Sequence, residues 1–495
     1  MRSDATQETA PGGAAVLAAC TVVAAIYRLA LATTFWDVPG DGPSRTAMAL
    51  GWAASPEVPL CGGWPPGFSF VVGTFSWLVP WPLWTACLMN VVLGTASVPL
   101  LHGIAARTYG AWAGLAAAAA LAVFPLHAEL SATSLTEVSF VFALLAAWRV
   151  LLGAAADEVV VRRRARLVAG GALVTLSEML RYEGWVLAPV WVGWWALRRR
   201  DRRETALLAL LALWFPITWT VGNAHCGDAF MGFRAALQEP SAGTGYALAA
   251  AAEHLRALAT RELGTPIALL VLVGALLELG LACARRSTWP RLLALGLAGT
   301  SWALLLRFTI SRGPSAWNRY ALAALVLGLP FAFAPLRFWP RARRAGGVAA
   351  VVVAVTLLAM TLPDVRGARA RHWLRSAPPT QATELARWLA ADAARRTLPI
   401  VTTPVGWELW YLPLVDPELY PRLWVVSGWI AQDEVFWRVE GLRGAGPFLF
   451  ATRDGDEADV ARLEAVAGVP LTPGAPVFRS GPLRVYRVSL PVRGR

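Results

Sequence analysis

The chain predicts an α-helical polytopic membrane protein with about eleven transmembrane helices and a small C-terminal α/β soluble domain. Three observations predict it. Of its 495 residues, 56% are hydrophobic and only 16% charged, where a soluble domain averages about 25% charged residues. Apolar runs near bilayer length recur from residue 14 to residue 363, and a hydrocarbon core about 30 Å thick needs roughly 20 such residues as helix. After Pro363 the runs stop and short helix and strand patterns alternate.

The expected spans are 14–34, 84–105, 111–126, 134–153, 166–181, 184–197, 205–222, 265–284, 291–309, 319–336 and 346–363. The shorter ones need tilt or local thinning of the bilayer. The first run has no clear cleavage site and is read as a retained helix rather than a removed signal peptide. The stretch 66–81 is apolar but short, broken by Gly and closed by Pro. It is expected to be interfacial or re-entrant.

The net charge of +13 and the pI near 10.5 invite a nucleic-acid reading. All 45 basic residues are arginine, and many sit in short clusters between apolar runs. That placement orients a membrane protein and argues against a nucleic-acid partner. The clusters are Arg162–Arg166, Arg198–Arg203, Arg285–Arg291 and Arg337–Arg344. With these spans, all four fall on the side of the N-terminus. The positive-inside rule makes that side cytoplasmic in a plasma (inner) membrane and puts the C-terminal domain outside.

In the C-terminal segment, 380–396 reads as an amphipathic helix. LPIVTT, PRLWVVS and PFLFATR read as short buried strands. DEADVARLEAVAG has an acidic start and a Gly stop, and VFRSGPLRVYRVSL reads as a hairpin closed at Ser480-Gly481. The organisation expected is 1–363 in the membrane and 364–495 outside. No phosphate-binding glycine motif supports nucleotide binding.

None of the five cysteines forms a CxxC pair, which argues against a structural zinc site. Cys20, Cys87 and Cys283 lie in apolar runs and are expected to be buried. Cys61 and Cys226 fall in the two long outer loops, where a disulfide is permitted.

Four outer segments carry groups suited to chemistry. In the first loop, Asp41 follows the first helix and Arg45 comes four residues later, one turn away if the segment is helical. A carboxylate at an outer membrane surface can take a proton from an acceptor hydroxyl; the plain alternative is a solvated loop acid. At the third helix, His127, Glu129 and Glu137 cluster in FPLHAELSATSLTEVSF. An ionisable residue inside a span is a functional candidate by default. No cofactor is implied, and a divalent metal there stays open because the residues form no fixed ligand motif. Next, Glu178, Arg181 and Glu183 flank Tyr182; they either pair among themselves or face an anionic headgroup. Finally, Arg307, Arg312 and Arg319 bracket a short outer loop, against the positive-inside tendency. A phosphate explains them, because guanidinium binds its oxygens bidentately; snorkelling is the alternative.

At these residues the chain resembles the GT-C superfamily of membrane glycosyltransferases, within it the family-39 and aminoarabinose-transferase-like group, with protein O-mannosyltransferases as relatives. The resemblance spans roughly 14–340 and rests on GDGPSR, GGWPPGFSF, SATSLTE, RYEG at Arg181–Gly184 and NRYALAAL at Arg319. It implies transfer of a sugar, hexose or pentose, from a polyprenyl-phosphate donor to a lipid, glycan or protein acceptor at the outer face. Asp41 then looks like the base, and Arg181, Arg319 and Arg307 like donor phosphate contacts. Arg45, Glu137, His127, Glu183 and Tyr320 look like substrate-positioning residues. Two departures touch the acceptor class: the first loop lacks an Asp-Glu pair, and Trp64 stands where a His is usual before Pro-Pro. The rival reading is a lipid or sugar transporter or flippase. It lacks the internal repeat such folds often show.

The reading makes a geometric demand. Asp41, Glu137, Arg181 and Arg319 should line one cavity, and at least one of Arg181, Arg307 and Arg319 should have no carboxylate partner.

Overall fold

The computed structural model describes residues 13–34, 41–54, 56, 62–225 except 83, 248–312, 318–338, 380–402 and, with gaps, 409–490. In chain order the helices needed below are α1 (Gly13–Thr34), α2 (Asp41–Ala54), α3 (Gly67–Ser76), α4 (Thr85–Tyr109), α5 (Ala111–Ala122), α6 (Pro125–Ser131), α7 (Glu137–Ala156), α8 (Val160–Leu180), α9 (Glu183–Arg199), α10 (Arg202–His225), α11 (Leu248–Leu263), α12 (Thr265–Cys283), α13 (Trp289–Arg312), α14 (Leu322–Ala332), α15 (Thr380–Ala390), α16 (Ala393–Arg396), α17 (Leu412–Val415) and α18 (Glu457–Ala467). Strands are β1 (Ile400–Thr402), β2 (Leu423–Val425), β3 (Phe448–Arg453), β4 (Phe478–Ser480) and β5 (Leu483–Val488).

Among the described residues, seven helices are long and apolar enough to cross a membrane: α1, α4, α7, α10, α12, α13 and Arg319–Phe338. The pair α5 and α6, bent by 56°, makes an eighth if it is one span. The difference from eleven has physical causes. Helix α8 begins with its arginine cluster and α9 has 17 residues, so neither meets that standard, although both form where spans are expected. The stretch 346–363 lies outside the described residues.

The chain divides into two compact units that are not contiguous in sequence. Unit 1 comprises residues 1–34, 90–217 and 237–372; unit 2 comprises 35–89, 218–236 and 373–495. The expected cut at 363/364 falls among residues outside the description.

Unit 1 holds most of the apolar helices. Helices α7 and α8 form a packed hairpin, with Gly170 against Leu151. Helices α12 and α14 approach so closely that a Cβ at Gly274 would overlap the Phe331 carbonyl, the small-residue packing that membrane helices use in place of a hydrophobic driving force. The break between α5 and α6 follows from Pro125, which cannot continue the helix. It leaves carbonyls without their helical partners. Arg28, fully buried in α1, supplies donors to Leu121 O at 3.1 Å and Ala122 O at 3.0 Å. Its Nη2 also meets His127 Nδ1 at 2.8 Å.

In unit 2, α2 and α3 pack together, and a Cβ at Gly73 would overlap the Trp52 ring. Helix α3 has ten residues, about 15 Å of helix, too short to cross. Trp77, Leu78 and Trp81 just after it are largely exposed, as interfacial aromatics are. The C-terminal sheet runs β2-β1-β3-β5-β4. Strand β1 pairs in parallel with β2 and β3, while β5 pairs antiparallel with β3 and β4. Gly481, at φ +53°, closes the β4–β5 hairpin where expected. Apolar clusters cover both faces of β3, one from Phe448 and Phe450 with Leu463, the other from Leu449 and Ala451 with Leu385 and Leu389.

Cys283 departs from expectation: it is exposed at the end of α12 rather than buried, and Cys20 is only half-buried, while Cys87 is buried. Helices on the lipid side of a bundle present small residues outward, which an apolar run alone cannot distinguish from a core face. The Cys61–Cys226 pairing lies outside the described residues.

Candidate active site

The charged group in unit 1 is assembled by helix ends. Glu137 is the first residue of α7, where the helix dipole favours an anion. The preceding segment is buried and pinned by Asn90, which donates to Thr133 O and Leu135 O, both at 2.7 Å, and accepts from Ser139 Oγ at 2.7 Å. Arg181 ends α8 in an extended conformation, φ −154° and ψ 145°. Two residues on, Glu183 begins α9. The turn between them is tight enough that a Cβ at Gly184 would press on the Glu178 backbone at 2.9 Å, so the glycine of RYEG is required by packing. Arg319 and Tyr320 lie in a 3-10 turn, Asn318–Ala321, just before α14.

These side chains meet. Arg181 Nη1 donates to Glu137 Oε1 at 2.7 Å and to Thr136 Oγ1 at 3.2 Å. Its Nε and Nη2 both donate to Glu183 Oε1, at 2.9 and 2.6 Å. Arg319 Nε lies 3.6 Å from Glu137 Oε1. The guanidinium carbons of Arg181 and Arg319 each stand 5.2 Å from the Tyr320 ring centroid, within cation–π range. Phe308 stacks on that ring at 5.8 Å with 9° between planes. The Arg181, Glu137 and Arg319 side chains are 11%, 4% and 9% exposed. Among the described residues, Glu137 Oε2 is buried without a hydrogen-bond partner.

A small cavity opens beside this group. Glu183, Tyr320 and Ser301 are its polar lining; Phe140, Leu187 and Phe308 are among its apolar walls.

The structure therefore brings together Glu137, Arg181, Glu183, Arg319 and Tyr320. Of the three arginines among which a carboxylate-free cation is expected, Arg181 is held by two carboxylates. Arg319 also has Glu137 nearby. Two arginines and two glutamates balance in charge, because carboxylates at the N-termini of α7 and α9 converge on the end of α8. Arg307 is exposed on α13, one residue before Phe308. His127 does not join the group. It is fully buried in α6 against Arg28, because the proline-induced bend turns that short helix into the packing. Among the described residues no three His, Cys, Asp or Glu side chains converge as metal ligands, so His127, Glu129 and Glu137 do not form the site left open above.

Asp41 opens α2 in unit 2; its side chain lies outside the description, and so does the expected shared cavity. Arg45 stands over the Trp64 ring, its Cζ 4.3 Å from the centroid. Trp64 thus gives Arg45 a cation–π platform.

Two features escaped the sequence reading. Arg28 was visible as a lone cation inside an apolar run, which is a functional or structural flag by itself. The buried ion pair between Glu278 of α12 and Arg337 had no local signal, since its partners are distant in sequence.

Apolar helices with charges gathered at their ends and a small C-terminal α/β sheet also make up the fold of two solved membrane proteins, ArnT and the oligosaccharyltransferase AglB, and the chain shares that fold. No protein-family model matches the sequence, and no curated protein matches it. Solved structures do. ArnT from Cupriavidus metallidurans bound to undecaprenyl phosphate superposes with a TM-score of 0.60 at 16% identity, covering 97% of this chain and 98% of that one. Its apo state gives 0.62 at 16% identity over 96% and 97%. The oligosaccharyltransferase AglB from Archaeoglobus fulgidus, in complex with an inhibitory peptide and a dolichol-phosphate, gives 0.58 at 11% identity over 91% and 70%. At these identities the likeness is one of fold.

Proposed function

We propose that the protein is a multi-pass membrane glycosyltransferase of the plasma (inner) membrane. It transfers a hexosyl or pentosyl unit from a polyprenyl-phosphate donor to a lipid, glycan or protein acceptor at the outer face. The observation that carries the reading is the meeting of Arg181 and Arg319 over one aromatic ring, at the ends of apolar helices and beside a largely apolar cavity. Two arginines beside an apolar wall suit the phosphate of an isoprenoid lipid once a carboxylate releases one of them. The fold shared with ArnT, whose structure holds undecaprenyl phosphate, supports it.

In the reaction the acceptor oxygen attacks the anomeric carbon. The bond from that carbon to the phosphate oxygen breaks, and the electron pair leaves with the lipid phosphate. The acceptor proton passes to Asp41. The leaving group is a stable anion, so it needs charge neutralisation more than a general acid. Arg319 and Arg307 are the proposed phosphate contacts. Arg181, clamped by Glu137 and Glu183, holds the charged group in shape and joins the phosphate when a carboxylate releases it. Glu183 and Tyr320 border the cavity and position substrate with Glu137 and Arg45.

The test is turnover and donor binding measured on the same variants with a polyprenyl-phosphate sugar. Asp41→Asn is expected to cut turnover by about 10²–10⁴-fold with donor affinity retained. Arg319→Ala is expected to weaken binding and turnover together. Native turnover in Asp41→Asn would remove Asp41 from the mechanism.

A further inference from the structure

The end of unit 1 away from Glu137 carries a charge imbalance that the proposed chemistry does not use. Residues 157–166 and 198–204 contain nine arginines and four acids. They form one surface, since Arg163 Nε of α8 meets Glu204 Oε1 of α10 at 2.8 Å. The turn after α12 belongs to the same end: Trp194 of α9 donates to the Trp289 carbonyl at 2.8 Å. Three of the four acids are committed within the fold. Asp157 takes Arg166 at 3.0 Å and Arg162 at 3.6 Å, and Glu204 takes Arg163. Asp201 accepts from the backbone N–H groups of Arg203 and Glu204. Arg164, Arg200, Arg202 and Arg203 are exposed, and among the described residues they form no ion pair.

Two of the exposed arginines stand where the backbone does not favour them. Arg200, closing α9, and Arg285, just after α12, both have φ +55°, and they are the two non-glycine residues with positive φ among those described. That position at a helix C-terminus is usually glycine. A need for positive charge at the end of α9 does not account for Arg200, because Arg198 and Arg199 already sit in its last turn. Beside them, Val159, Val160 and Val161 are 46%, 44% and 77% exposed at the start of α8. Protruding apolar side chains among arginines suit the boundary between headgroups and acyl chains, not a free anion in water.

We propose that this end of unit 1 binds anionic phospholipid headgroups, with Arg200 and Arg285 as its anchoring contacts and the three valines setting its depth. Clusters of arginine next to membrane helices are drawn to anionic lipid surfaces, and a lipid that binds only the folded state raises its melting temperature.

The experiment uses the full chain in nanodiscs of phosphatidylcholine, with and without phosphatidylglycerol, and reads thermal unfolding. The native protein is expected to melt several degrees higher with phosphatidylglycerol. R200G/R285G should lose most of that gain, yet melt no lower than native in pure phosphatidylcholine, because glycine relaxes both turns. R484Q, a charge removed from the sheet of unit 2, should keep the gain. The proposal is overturned if the native chain shows no gain, or if R200G/R285G keeps it in full. Loss of the gain in R484Q as well would reduce it to a general charge effect. Inorganic phosphate reproducing it would put a free anion in place of the lipid.

Discussion

Arg181 sets the limits of the site. A guanidinium buried between two carboxylates is desolvated on every side, so its partners are more valuable present than their net contribution suggests. Breaking a buried pair by removing one member costs about 3–5 kcal/mol, because the remaining charge is left uncompensated. Glu137→Gln removes the carboxylate that Arg181 and Arg319 share. It should lower thermal stability by a few degrees or more and leave the group with excess positive charge. A melting curve identical to native would mean that the pair does not exist in the membrane. The candidate residues themselves were legible in the sequence, since ionisable groups at the ends of apolar runs stand out against their surroundings. Their mutual distances were not. Glu137 and Arg181 are 44 residues apart, and nothing local says whether an arginine at a helix end meets a ligand or two glutamates. His127 shows the converse: adjacency to Glu129 and Glu137 in sequence suggested a cluster, and the bend at Pro125 dissolved it.

Most helix boundaries were readable to within a few residues because capping and breaking signals are local, although α8 starts six residues before the expected 166 and 111–126 runs across the break at Pro125. Asp201 carries a local signal that the expected start at 205 did not use. Its carboxylate accepts from two backbone N–H groups at the start of α10, and these bonds hold its pKa below the ordinary aspartate value. A depressed carboxylate stabilises the folded state fully above its unfolded pKa, and that contribution fades as pH falls through the folded value. Asp201→Ala should therefore melt lower than native at neutral pH, with the difference shrinking as the pH drops below about 4. A gap independent of pH would assign the loss to something other than the cap. Gly274 belongs to the same scale but had no readable signal. Glycine in an apolar run looks like any small residue until the Phe331 carbonyl is seen against it. Gly274→Ala should force α12 and α14 apart and destabilise the fold, as overpacking does, by about 1–3 kcal/mol, read as a lower melting temperature. Native stability in that variant would show that the helices can separate without loss.

For the molecule as a whole, the sequence suggested two blocks in chain order, because composition changes at Pro363. Composition reports which residues prefer lipid; it does not report which segments fold together. The segment 35–89 shares a compact unit with the C-terminal residues. Helix α2 packs on α17 and on the turn Pro417–Arg422, and Leu50 rests against a small cluster of Ala382, Tyr411 and Leu414. The C-terminal domain thus supports the helix that Asp41 begins. If Asp41 is the base, its position depends on that support, and a misplacement of about 1 Å can cost on the order of 10²-fold in rate. Leu414→Asp puts a charge into the cluster without touching any proposed substrate contact. It should leave donor binding to unit 1 near native and reduce transfer at least tenfold, a kcat effect with little change in donor KM. Leu414→Met, which keeps the apolar contact, should restore transfer. Normal turnover in Leu414→Asp would show that α2 holds its place without the C-terminal domain. A parallel loss of donor binding would show instead that the damage spreads beyond unit 2, and the domain would then be a general stabiliser of the chain rather than the mount for its base.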